Sequence, residues 1–352
     1  MTMTTVVDGK HMRIGYTTGT CVVAAAQAAI AALETGEVVE SVRVRVPAGD
    51  VLTIEVSEIR RTADRASYSV IKDSGDDPDV TDGIEMRVTI ERTESGRIEW
   101  RKGVGVGTYT EGSLFGKTGM LAINPVPKRE ITALLKKHLG EGIAIQIDIP
   151  KGEEVAKKTF NPRIGIRGGL SILGTTGLVK PMSKDAYVAT IDMELRAIRR
   201  KGSELIYLTP GNYGERYVSS AYGGGDIVKV SNYFGDALRL ACDYGFKRIV
   251  VLGHIGKMAK LAIGIFQTHS AVADGRMESI AYYLAKAGAP LSLIESVEGE
   301  LTAEGAIKRC TDGGYGGILR DMEKGIVARI KKYVKSEDVK IDAVIYTMED
   351  VS

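Results

Sequence analysis

The chain has 352 residues, 44% of them apolar and 26% charged, with 47 Lys and Arg against 45 Asp and Glu. That length predicts two domains of ordinary size, and a net charge of +2 supplies no field that would select for nucleic acid or a membrane surface. Cys21, Cys242 and Cys310 lie far apart and the four histidines complete no ligand motif with them, so neither disulfides nor a protein-bound metal is expected and a reducing, cytoplasmic setting fits.

The longest apolar stretch is Cys21–Leu33, interrupted by Gln27. It is too short to span a bilayer. Lys10 and Arg13 precede it as in a signal peptide, but it is Ala-rich, has no clear cleavage segment, and opens on a helix-cap sequence. A buried helix is therefore predicted after Tyr16-Thr17-Thr18-Gly19-Thr20, ending at Gly36. Alternating segments predict strands at Ser41–Val46, Val51–Ile59, Ala66–Lys72 and Ile84–Glu91. A glycine-rich stretch, Gly103–Gly119, then leads to a helix over Lys128–Leu139 and a strand over Ile143–Ile149. Strands first and helices later predict an α+β sandwich for residues 1–180.

Residues 181–352 change rhythm. A helix is predicted over Lys184–Arg200, then strand Glu204–Leu208, strand Ile227–Val230 and helix Phe234–Tyr244. Strand Arg248–Leu252, a helix starting near Lys257, helix Ile318–Val334 and strand Ala343–Tyr346 follow. Such alternation predicts an α/β domain with a mostly parallel sheet.

Three glycine-rich turns are candidate ligand loops. In Thr17–Cys21, the start of a helix offers backbone N–H groups to a carboxylate or phosphate, or Thr18 or Thr20 simply caps it. Cys21 there is a nucleophile if its thiol is acidic, and a small core residue otherwise. Gly174-Thr175-Thr176-Gly177 precedes Lys180, which either pairs with a substrate carboxylate or is a solvated linker residue. Thr209-Pro210-Gly211-Asn212-Tyr213-Gly214 and Gly253-His254-Ile255-Gly256-Lys257 each follow a strand, where ligands of α/β sheets bind. Neither matches Gly-x-Gly-x-x-Gly or a Walker loop. His254 and His269 are candidate bases or ligands to a metal in the substrate, the alternative being hydrogen bonds to their own loops.

Taken together, several blocks resemble the CbiD family of cobalamin synthesis. They are Arg13–Cys21, Val80–Ile84, Ala122–Pro127, Lys158–Arg163, Ser171–Gly177, Thr209–Gly214, Gly253–Lys257 and Thr268–Glu278. They run in order through most of the chain, and the segment after Gly299 resembles the family less distinctly. The resemblance implies methyl transfer from S-adenosylmethionine to C1 of cobalt-precorrin-5B, with cobalt only as part of that substrate. Positioning is the main demand of such a displacement. By position, Gly211, Asn212, Tyr213, Gly214, Gly253 and His254 are expected to hold the donor. Thr17, Thr18, Gly19, Lys158, Arg163, Lys180, Lys257 and Arg276 are expected to meet the substrate's carboxylates. Asp82, Asp274 or His269 is expected to accept a proton. A non-catalytic tetrapyrrole-binding or channelling protein and a phosphate-ester enzyme are the rival readings. Contacts with a second copy, or with enzymes of the same pathway, stay open.

Overall fold

The computed structural model describes residues 3–7, 9–111, 113, 115–336 and 338–350, the side chain of residue 349 excepted. The chain divides into two compact units, Met1–Ser183 and Lys184–Ser352.

The first unit is built around a five-stranded sheet. Its spatial order is Ser57–Arg61, Arg65–Ile71, Glu85–Arg92, Ile143–Asp148 and Ile98–Lys102. All pairings are antiparallel except the last. Register aligns Val70 with Met86 and Tyr68 with Val88, and Ile90 with both Ala66 and Ile145. One face is thus a continuous apolar surface, as period-2 alternation demands. Helix Thr18–Thr35 packs on the two central strands, and helix Pro125–His138 packs beside it. Thr17 caps the first helix through the Thr20 N–H, and Gly36 ends it in the left-handed region at φ 74°. This helix has the length and apolarity of a membrane span, but 72% of it is buried in the unit. Its Ala-rich sequence suits close approach on every side.

Two strand expectations change. Val51–Ile59 is two strands, Val51–Glu55 and Ser57–Arg61, belonging to different sheets. Buried Val56 stands at the crossing, its N–H bonded to the Glu40 carbonyl. Ile98–Lys102 was not anticipated; its alternation is short, and its place at the sheet edge comes from parallel pairing with Ile143–Asp148.

The second unit holds a four-stranded, all-parallel sheet in the order Ile227–Lys229, Leu205–Thr209, Arg248–His254, Lys340–Tyr346. Both faces are covered. Ile206, Leu208, Ile249 and Val251 enter the larger core with helices such as Phe234–Asp243, Ile255–Ala262 and Ile318–Val334. Tyr207, Val250 and Leu252 face the other way, where Val218 of helix Asn212–Tyr222 meets them. Helices Asn212–Tyr222, Arg276–Lys286, Leu291–Glu298 and Ala303–Asp312 add to those anticipated.

Candidate functional site

Strand order in the second unit creates the site. From Leu205–Thr209 the chain moves outward to Ile227–Lys229, then returns to the opposite side for Arg248–His254. The segments leaving Thr209 and His254 therefore diverge to opposite faces of the sheet. A crevice opens where they part, as in other doubly wound sheets. It is a cleft of about 680 Å³ lined by Pro210, Gly211, Tyr213, His254, Gly256, Lys257, His269 and Arg276, together with Asn232, Lys260, Thr268 and Tyr346. That volume lies within the range of small-molecule sites, roughly 300–1,000 Å³.

The two post-strand loops are shaped by close approach. A Cβ on Gly214 would meet Thr209 Oγ1 at 1.6 Å, and one on Gly253 would meet Met258 Sδ at 3.0 Å and Pro210 Cδ at 3.2 Å. Glycine is needed at 214, where the overlap is severe, and fits the tight space at 253, so that the helix starts can sit against the sheet. Helix Asn212–Tyr222 begins at Gly211 with no side-chain cap, which leaves its positive dipole end to a ligand or solvent. Asn212 accepts a hydrogen bond from Lys229 Nζ at 3.1 Å.

Helix Ile255–Ala262, by contrast, is capped: His254 Nδ1 accepts from the Gly256 N–H at 3.2 Å. The proton of the neutral ring then belongs on Nε2, which is buried without a hydrogen bond and lies 3.6 Å from Glu304. His269 follows the same pattern, its Nδ1 accepting from the Ala271 N–H at 3.2 Å. Both rings, when neutral, present Nε2–H donors. His269 was expected as a proton acceptor; its lone pair is already used by its own loop.

Asp274 is likewise poorly suited to take a proton. Arg276 holds it through two 2.8 Å hydrogen bonds, and this pairing pulls its pKa down to about 2. Lys257 donates to the Ser231 carbonyl at 3.3 Å, and burial, then the neighbouring Lys260, lower its pKa. Lys260, only 3% exposed, donates to the carbonyls of Thr268 and Ala273 at 3.1 and 2.7 Å. It fixes the loop that carries His269. Sequence reasoning missed Lys260, Asn232 and Tyr346, and gave Thr268 no role beyond its place in a resembling block. The only signal for Lys260 is a cation amid Met258, Ala259, Leu261 and Ala262 on a short apolar helix. Tyr346 is stacked on Tyr217 at 5.2 Å and stands at a strand end.

The remaining candidates belong to the first unit. Asp82 accepts the Ser74 N–H at 2.7 Å and so braces a turn. Most amides of the Thr17–Cys21 turn are already engaged within the unit. The Thr17 N–H goes to Gly177, Gly19 to Leu173, Thr20 to Thr17 Oγ1 and Cys21 to the Thr17 carbonyl. Thr18 Oγ1 accepts the Leu173 N–H at 2.8 Å. The 171–177 segment thus packs on the helix start and accepts the N–H groups of Thr17 and Gly19. Cys21 is fully buried, and burial raises its thiol pKa to about 12, so it is a core residue with no nucleophilic character. Lys158, Arg163 and Lys180 are exposed, with Arg163 over the Phe160 ring at 5.9 Å.

Residues 5–181 match the family model CbiD, and residues 267–351 match CbiD, C-terminal domain. The chain belongs to the CbiD family. CbiD likeness thus extends beyond Gly299, where the sequence blocks alone had become indistinct. A protein of Alkaliphilus oremlandii named cobalt-precorrin-5B C(1)-methyltransferase is 46% identical, over 97% of this chain and 96% of its own. One of the same name from Treponema denticola is 44% identical over the same shares. The crystal structure of the cobalamin biosynthesis protein CbiD from Archaeoglobus fulgidus is 25% identical, covering 97% of this chain and 89% of that one with a TM-score of 0.43.

Proposed function

We propose that this chain is a methyltransferase that carries the methyl group of S-adenosylmethionine to C1 of cobalt-precorrin-5B, giving cobalt-precorrin-6A and S-adenosylhomocysteine. The observation that carries the reading is near-full-length likeness to proteins of that name, joined by a cleft of suitable size at the switch point of a parallel sheet. A non-catalytic tetrapyrrole carrier is disfavoured, because it gives no account of this likeness to named methyltransferases. Three cysteines spread far apart along the sequence fit the cytoplasm as its location.

The donor's contribution is a sulfonium-activated methyl group, so the protein's work is placement. The uncapped helix start at Gly211, with Asn212 and Tyr213, suits the donor's amino-acid carboxylate. Gly214 and Gly253 keep the two loops against the sheet, and the buried ring of Tyr346 offers an apolar wall. His254 acts through its cap, fixing the second loop. Lys257, Arg276 and the Nε2–H of His269 face the same cleft and suit carboxylates of either reactant. Lys158, Arg163 and Lys180 remain candidates for carboxylate contacts from the first unit. Transfer breaks the S–CH3 bond as the C1–CH3 bond forms, and the sulfonium becomes a neutral thioether. Alignment in line is the main requirement.

Incubation with methyl-labelled S-adenosylmethionine and cobalt-precorrin-5B tests the proposal. Label should appear in the macrocycle, with S-adenosylhomocysteine formed in equal amount. Macrocycle binding without transfer would return the carrier reading.

A further inference from the structure

We propose that a second cleft, in the first unit, binds an apolar macrocycle through its face and that macrocycle's carboxylates through a cationic rim. The site lies along the outer stripe of helix Pro125–His138, has a volume of about 560 Å³ and includes none of the candidate catalytic, donor-binding or substrate-binding residues named from sequence. It deepens the methyltransferase reading by assigning the substrate's seat, and rests on that reading for the ligand's class.

Helical geometry makes the rim. Arg129, Thr132 and Lys136 run along one stripe, with Lys128 at its border with the stripe that buries Ile131 and Leu135 completely. The floor comes from the chain before the helix: Tyr109, Met120, Leu121 and Ile123. A Cβ on Gly116 would meet the Tyr109 ring at 2.1 Å, so the backbone at Gly116 lies directly against that ring. Met120 is 45% exposed and Phe115 37%, an unusual outlay of large apolar surface beside cations.

The electrostatics are one-sided. The described residues lining the cleft include three cations and no carboxylate. Lys128, Arg129 and Lys136 make no ion pair among the described residues; Lys128 leans over the Trp100 ring at 5.6 Å instead. Arg129 interacts with neighbouring Glu130, which leaves a net positive rim along an apolar trough, complementary to a flat apolar ring bearing acids on its edge. A bare phosphate would use the rim and leave the floor exposed. A neutral ligand would leave the rim unpaired.

The test titrates the full chain with uroporphyrin, an octacarboxylate tetrapyrrole, followed by its absorbance. Arg129→Glu with Lys136→Glu reverses two rim charges. Ala133→Trp, at an exposed lining position, obstructs the trough with no change of charge. Each variant should weaken uroporphyrin at least about tenfold, with unaltered thermal unfolding and S-adenosylhomocysteine affinity within about twofold. Binding of uroporphyrin by the unmodified protein should fall between about 50 and about 500 mM salt. Full uroporphyrin affinity in either variant would overturn the proposal, as would its displacement by equimolar inorganic phosphate. Failure of S-adenosylhomocysteine to bind the unmodified protein would count against the methyltransferase reading alone.

Discussion

Gly214→Ala tests whether close packing at the first post-strand loop positions the site. The added Cβ would lie 1.6 Å from Thr209 Oγ1 and 2.6 Å from its Cβ, and Thr209 is fully buried. Neither atom is the end of a flexible side chain, so the start of helix Asn212–Tyr222 must lift from the sheet. Overpacking of this kind costs about 3 kcal/mol at the upper end, while replacing a helical glycine with alanine returns about 1. The net loss of about 2 kcal/mol corresponds to a fall of roughly 4–8 °C in Tm for a unit of this size. Displacing the donor's proposed seat should also lower kcat/KM by tenfold or more. Thermal unfolding and steady-state methyl transfer read both effects. Thr209→Ala added to Gly214→Ala removes the worst overlap and should recover about half the stability. Gly211→Ala is the control. Its φ of −176° is extended and a Cβ would meet nothing within 4 Å, so Tm should hold. An unchanged Tm and unchanged kinetics for Gly214→Ala would refute the packing argument.

Lys260→Met keeps the side-chain volume but strips the carbonyls of Thr268 and Ala273 of their shared donor. Two buried acceptors left unpaired, less the relief of removing a buried charge, should cost about 2 kcal/mol. Amide exchange at Val272 and Ala273, whose N–H groups bond to the His269 carbonyl, should quicken; unaltered exchange would remove Lys260 from its role. The Asp274 carboxyl, held by Arg276 at a pKa of about 2, sits below the ordinary value of about 3.9. Its pairing is therefore complete above about pH 4 and is lost as pH falls toward 2, with no change near neutrality. A carboxyl carbon titration by NMR with a midpoint near 4 would contradict this.

Local order was largely legible. Thr17, Gly36 and the alanine run define the first helix without help from the rest of the chain, because caps and propensity act within a few residues. Helices Lys184–Arg200 and Ile318–Val334 have the bounds that their amphipathic periodicity predicts. The loops after Thr209 and His254 were recognisable by glycine content, and the structure brings them to one cleft. What each polar group does there was not legible. His254 and His269 look alike as bases in sequence, but both have Nδ1 committed to a backbone amide.

The same boundary separates the two ends of the chain's story. Sequence by itself determined the helices with clear caps or amphipathic periodicity and most strands of the two main sheets, since these signals are short-range causes; the helices Asn212–Tyr222, Arg276–Lys286, Leu291–Glu298 and Ala303–Asp312 were not read from it. It also determined family membership, through motifs spread along the chain. Only tertiary structure decided that the Thr17 and Gly19 N–H groups are taken by the carbonyls of Gly177 and Leu173, from a segment far along the chain. Only it decided that a strand reversal opens the crevice beside Gly211 and His254. Long-range hydrogen bonds and sheet order follow from which surfaces can be buried together, and that depends on the whole chain at once.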